Sequence, residues 1–245
     1  MYNFFTDKKQ SDGLYLIDGS DYNHIKNVLR MKVGEQFIVS DSGNSHLCEL
    51  NSFEKDFCLA KVLEENYLTT ELPIKIRLFQ GLPKSDKLEL IIQKCVELGV
   101  SEIIPVEMAR SIVKFDQKKK AQKTERFQAI AESAAKQSKR NVIPTIKDAV
   151  NLNEALKLAE DSDLILIPYE NEKGMSETKS ALEKIKRGIT VSVFIGPEGG
   201  FDEKEVEKII ATNGISISLG SRILRTETAA ITAVAMLMLY AEINI

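Results

Sequence analysis

From about residue 74 to the end of the chain, short apolar runs alternate with stretches whose apolar residues recur every three to four positions. The runs, at 74–80, 101–106, 143–147, 164–168, 189–195 and 215–219, are rich in Ile, Val and Leu and predict strands. Helical spacing covers 84–98, about 117–139, 152–160 and 176–186, then the stretches that follow Asp202 and Thr226, each placed as an N-cap. Strands that alternate with helices predict a mainly parallel sheet covered on both faces. Before residue 72 the pattern differs. Strand-like runs at 14–17, 36–40, 46–50 and 57–64 are separated by turn residues such as Asp41-Ser42-Gly43-Asn44. One helix is expected there, about 21–31, with Asp21 as its cap and Ile25, Val28 and Leu29 on one face. The break at Leu72-Pro73 predicts a β-rich module over 1–72 and an α/β domain over 73–245.

The last predicted helix, about 226–242, is apolar nearly all round, from Ala229 to Leu239. A helix with no polar face has to be covered on every side, by the sheet on one and by a further partner on the other. Its apolar run is shorter than the roughly 20 residues that cross a bilayer, so no membrane contact is expected.

Composition narrows the class. With 43% hydrophobic residues in 245, the chain can bury a substantial core. The net charge of −3 hides an asymmetry: 108–140 holds ten Lys/Arg against three acids, a net of +7, which leaves −10 elsewhere. A nearly neutral protein with one basic segment fits a local polyanion contact. Three cysteines without C-x-x-C spacing and two histidines supply no zinc set, and no metal is expected. The amino terminus lacks the apolar core of a signal peptide, so a cytoplasmic location is expected.

Two loops carry the chemistry. Gly196-Pro197-Glu198-Gly199-Gly200 follows one β-branched run; Leu219-Gly220-Ser221-Arg222-Ile223-Leu224-Arg225-Thr226-Glu227-Thr228 follows the next. Both sit between a strand and a helix, where open α/β sheets bind ligands. The glycines let backbone approach a ligand closely. The spacing is neither G-x-G-x-x-G nor a P-loop, and the missing dinucleotide fingerprint disfavours a metabolite-binding Rossmann oxidoreductase.

Together these loops closely resemble the knotted SPOUT methyltransferases, and most closely the ribosomal RNA small subunit methyltransferase E family, which methylates N3 of a uridine in 16S rRNA. The second motif is complete here from Leu219 to Ala229, and His24-Ile25-Lys26-Asn27-Val28-Leu29-Arg30 resembles the family's PUA-like amino-terminal domain. The family's early arginine is replaced by Tyr2-Asn3-Phe4-Phe5. The resemblance implies an α/β fold: a deep trefoil knot behind a small PUA-like domain, a homodimer through the knot and last helix, and S-adenosylmethionine held by the two loops. Ile195, Leu219, Ile223 and Leu224 would form the adenine slot, with Ile167, Pro168 and Glu170 as a third wall. Gly196 to Gly200, Gly220 and Thr228 would complete the cofactor site.

The uracil imide reacts as its anion, which calls for a nearby cation or a base. Arg225 is the first choice for the reacting edge, with Arg222 and Glu227 beside it; an Arg225–Glu227 ion pair that merely stabilises the loop is the competing reading. Glu198 fits either a loop-orienting acceptor or a base. Arg30, Arg110, Lys118, Lys119, Lys120 and Arg140 are the expected RNA contacts, on free small-subunit rRNA or an assembled small subunit. The alternatives are another rRNA or tRNA position, or a non-catalytic assembly factor that kept the fold.

Overall fold

The computed structural model describes residues 1–84, 86–113, 117–172 and 174–245; the side chains of 117–119 fall outside the description. The chain forms two compact units. Met1–Glu71 with Ala135–Ile143 makes the first, and Leu72–Ala134 with Pro144–Ile245 the second.

In the first unit, β1 (Asn3–Phe5), β2 (Tyr15–Asp18), β3 (Gln36–Asp41), β4 (Asn44–Phe53) and β5 (Phe57–Glu64) form a sheet in the order β1-β3-β4-β5-β2. Only the β1–β3 pair is parallel. Alternation along these strands puts Phe4, Ile17, Phe37, Val39, Leu50 and Ala60 into one core. The expected helix is not one α-helix. A five-residue α1 (Gly19–Asn23) runs into a π-turn at His24–Val28. Asp21 lies inside α1 and accepts from Lys136 Nζ at 2.7 Å, while Val28 is 64% exposed and leaves Ile25 and the half-buried Leu29 to make the core contact. The returning segment 135–143 is tied in by polar groups: Asn3 Nδ2 donates to the Arg140 carbonyl at 2.9 Å and Asn141 Nδ2 to the Leu68 carbonyl at 2.8 Å.

The second unit alternates as expected. It runs β6 (Lys75–Gly81), α2 (Lys87–Glu97), β7 (Glu102–Glu107), α3 (Gln117–Ser138), β8 (Thr145–Ile146), β9 (Val150–Asn151), α4 (Leu152–Ala159) and β10 (Leu164–Pro168). It continues through α5 (Ser176–Leu182), β11 (Thr190–Ile195), α6 (Glu203–Ala211), β12 (Gly214–Ile217) and α7 (Thr226–Asn244). The sheet order is β12-β10-β11-β6-β7-β8, with β9 also on β7, and every described pair is parallel. Its central strands are buried on both faces; on neighbouring strands Phe79 and Phe194 stack with centroids 4.4 Å apart. Asp202 caps α6 through a reciprocal capping box with Glu205, as its position before the helix predicts.

Helix α7 buries Thr226, Ala230, Ala233, Val234, Leu237 and Ala241, a stripe at helical spacing that packs on α2, β6 and β11. Its opposite side keeps Leu239 and Ile243 exposed, at 51% and 76%. By length and composition alone α7 could cross a membrane. The packed stripe makes it a core helix on that side.

Candidate active site

The register of the parallel sheet brings four strand ends level: Gln80 of β6 lies opposite Ile195 of β11, and Pro168 of β10 opposite Ile217 of β12. The loops leaving these ends share one rim, the place where open α/β sheets hold ligands. Between them lies a cavity of about 450 Å³, within the span of small-molecule sites. One wall is Pro168 to Glu170; a second is Ile195 to Glu198 with Gly200 and Phe201; a third is Ser218 to Thr226. Lys87, Glu172 and Ala229 complete it.

Missing side chains make this packing possible. A Cβ on Gly81, at the end of β6, would lie 2.7 Å from Pro197 Cδ, so strand end and loop touch through the space a glycine leaves. Gly220 adopts φ of +110°, a conformation that L side chains rarely take. Gly199 does not line the cavity. It backs onto Arg110, whose Cβ would be 3.0 Å from a Cβ at 199.

A buried chain of hydrogen bonds fastens the two glycine loops to the sheet. Thr226 Oγ1 donates to the Gly196 carbonyl at 2.6 Å and accepts from Gln80 Nε2 at 2.9 Å. That commitment corrects the expected cap: Thr226 is the first residue of α7, Arg225 stands at the N-cap, and no side chain caps the helix. Gln80 Oε1 is left buried without a hydrogen-bond partner among the described residues.

A second link lies nearer the cavity mouth. Glu198 Oε1 accepts from the Lys84 amide at 3.0 Å and sits 3.1 Å from Lys87 Nζ. The same ammonium is 3.3 Å from Glu227 Oε2, an ion-pair contact without hydrogen-bond alignment, and that buried oxygen has no other partner among the described residues. Burial pushes the Glu198 carboxyl up, but the Lys84 amide, its own amide and Lys87 together hold it below the usual carboxylate range. The Glu198 contact raises Lys87; burial opposes the rise and Glu227 adds to it. So Glu227 faces Lys87, and the Arg225–Glu227 pair does not form. Among the described residues, neither Arg222 nor Arg225 makes a side-chain hydrogen bond or ion pair, and both line the cavity.

Comparison with known proteins agrees with this geometry. The family described as RNA methyltransferase domain matches residues 70–238, and the RNA methyltransferase PUA domain matches 17–63. Ribosomal RNA small subunit methyltransferase E of Bacillus subtilis is 40% identical, covering 94% of this chain and 91% of its own length. Its counterpart in Aquifex aeolicus is 31% identical over 97% and 99%. This chain belongs to the ribosomal RNA small subunit methyltransferase E family. Among solved structures, the Neisseria gonorrhoeae member bound to S-adenosyl methionine superposes with a TM-score of 0.82 at 30% identity, covering 98% of this chain and 97% of that one. A putative methyltransferase from Legionella pneumophila in complex with the same cofactor gives 0.81 at 29% identity, with 97% of each chain covered.

Within this family member the expected cofactor residues divide in two. Pro168, Glu170, Ile195, Gly196, Pro197, Glu198 and Gly200 line the cavity, as do Leu219, Gly220, Ile223 and Leu224, with Ile223 87% exposed at the rim. Ile167 is fully buried in the core behind it, and Gly199 and Thr228 stand outside the lining.

The expected RNA contacts scatter more widely. Arg30 is exposed in the first unit with φ of 53°. Arg110 donates to the Gly199 carbonyl at 3.1 Å and lies 3.8 Å from Asp202. Lys120 pairs with Glu107 at 3.3 Å and donates to the Ala149 carbonyl. Arg140 is 4% exposed, with its guanidinium on Glu71, so burial in the first unit takes it off the surface where RNA would meet it. Lys118 and Lys119 lie outside the described side chains.

Sequence reasoning missed two participants. Lys87 reads as a helix-surface charge, and Gly81 as part of a linker. The available signal for Gly81 was a glycine at a strand end; for Lys87 it was a cation in a helix's first turn, where the dipole disfavours it.

Proposed function

We propose that this chain is an S-adenosylmethionine-dependent methyltransferase acting on N3 of a uridine in 16S rRNA. The single observation that supports this most is a cavity walled by the two glycine loops with Arg222 and Arg225 uncommitted at its edge, in a chain of this family. The cavity's fit to the cofactor is supported by its size, by the open backbone at Gly200 and Gly220, and by the apolar Ile195, Leu219 and Leu224. When bound, S-adenosylmethionine supplies an activated methyl group.

The chain's own residues do the rest. The loops hold the ligand in register with the incoming base, which converts a bimolecular encounter into a positioned one. Arg225, with Arg222 beside it, favours the uracil imide anion as charge develops at N3. Arginine stays protonated, so it stabilises the anion and does not take the proton. Glu227 in the first turn of α7 is the acceptor for the N3 proton in this reading; it is paired with Lys87 and stands just outside the cavity lining.

The module over residues 1–72 serves as the RNA-binding domain in this reading, joined by 135–143, and the domain over 73–245 as the catalytic one. A deep trefoil knot in the second domain is part of this reading, supported by membership of the family and by the two glycine loops being fastened to one end of the sheet. The apolar face of α7 that carries Leu239 and Ile243 supports a homodimer through this helix. A cytoplasmic location fits an rRNA substrate.

The test is methyl transfer from labelled S-adenosylmethionine into small ribosomal subunits from cells lacking the protein, with the product nucleoside identified. N3-methyluridine at one site is expected. Incorporation at another nucleotide would replace the target, and cofactor binding without transfer to any ribosomal RNA would replace the substrate class.

A further inference from the structure

We propose that Lys87 is a positioning residue of the cofactor cavity, acting through Glu198 and Glu227. The proposal rests on reading that cavity as the S-adenosylmethionine site. Lys87 opens α2, in the first turn of a helix whose dipole disfavours a cation there. An ordinary surface lysine at such a place would extend into solvent. This one is 29% exposed, lies between carboxylates from two other segments, and forms part of the cavity wall. Glu198 comes from the loop after β11, and Glu227 from the first turn of α7. One ammonium therefore ties the start of α2 to the wall that carries Glu198 and to the first turn of α7.

The fold does not depend on this tie. The same two segments are already joined deeper in the unit by the Gln80–Thr226–Gly196 hydrogen bonds, where Gln80 is fully buried and Thr226 is 5% exposed. The Lys87 link is shallower and faces the ligand space. It neutralises one of two carboxylates that would otherwise face each other with like charge, and it sets how far the loops stand apart at the mouth. Glu227 Oε2 has no hydrogen bond among the described residues, so Lys87 is what holds that carboxylate in place.

The experiment measures S-adenosylmethionine affinity by calorimetry, with kcat and KM for methyl transfer, on the full chain and on Lys87→Met and Lys87→Arg. Lys87→Met is expected to raise the cofactor Kd about tenfold, the scale of a lost charge-assisted contact. It should raise KM for the cofactor in parallel and leave the unfolding midpoint of the cofactor-free protein unchanged. Lys87→Arg, which keeps the charge, should recover most of the affinity. Unchanged affinity in Lys87→Met, with wild type binding normally, would overturn the positioning role alone. Equal losses in both variants together with a lowered unfolding midpoint would also overturn it, in favour of a purely structural pair. Failure of the wild-type chain to bind S-adenosylmethionine would overturn the cavity reading and this proposal with it.

Discussion

The basic segment 108–140 and the loop 218–226 show how differently the same residue types are used. The segment holds ten Lys/Arg, yet those whose contacts are described are largely committed. Lys120 is on Glu107, Arg126 on Glu89, Lys136 on Asp21 and Arg140 on Glu71. The loop holds two arginines, and neither is paired among the described residues. Cations counted along a sequence are therefore a poor measure of charge displayed to a ligand. Partners brought from distant segments decide which cations remain available, and here the glycine loop keeps its pair while the richer segment spends much of its charge on packing.

The sharpest way to break this contrast is Arg225→Ala. Loss of one preorganised cation at a developing anion costs about 10²–10³ in kcat. Cofactor Kd should change far less, and the unfolding midpoint hardly at all, because the side chain is exposed and unpaired. A drop in stability with kcat preserved would place Arg225 with the committed cations.

Arg140→Ala should behave in the opposite way. Removing one partner of a buried pair usually costs about 3–5 kcal/mol. Glu71 keeps amide donors from Asn141 and Val142 and is 26% exposed, so about 2 kcal/mol of destabilisation is expected in urea unfolding, with little change in RNA affinity. A selective loss of RNA binding at unchanged stability would contradict the burial argument.

Thr226→Val leaves the Gly196 carbonyl and the Gln80 amide short of a partner. A stability loss of about 1–3 kcal/mol follows from the stranded groups, measured by urea unfolding without cofactor.

The smallest effect expected is in pH. Glu198 is depressed, so its contribution is present above the usual carboxylate value of about 4.3 and is lost only as pH falls below it. Lys87 is raised, so its contribution is complete below about 10.4 and lost only above that. Cofactor affinity should therefore be flat from about pH 5.5 to 9. A transition near neutrality would show that the Lys87 link is not the charged pair described here.

Much of the fold could be read from periodicity, because the parallel sheet is buried on both faces and writes its strands as apolar runs. The run at 164–168 and the capped start of α6 at Asp202 are examples. The glycine loops were legible for a related reason: close backbone approach demands residues without side chains. What could not be read depends on contacts between distant segments. Thr226 looks like a cap, but its hydroxyl is taken by a carbonyl thirty positions away. Arg140 looks like a surface cation until Glu71 buries it, and the return of 135–143 to the first unit leaves no periodic signature. Ile25, Val28 and Leu29 suggest one helical face, yet the π-turn rotates Val28 out to solvent.

Hydrogen exchange with and without S-adenosylmethionine tests the central claim most directly. Slowed exchange confined to the backbone of 168–170, 194–201, 218–226 and the start of α2 is the expected result. Cofactor binding that protects other segments and leaves both glycine loops unchanged would contradict the site described here.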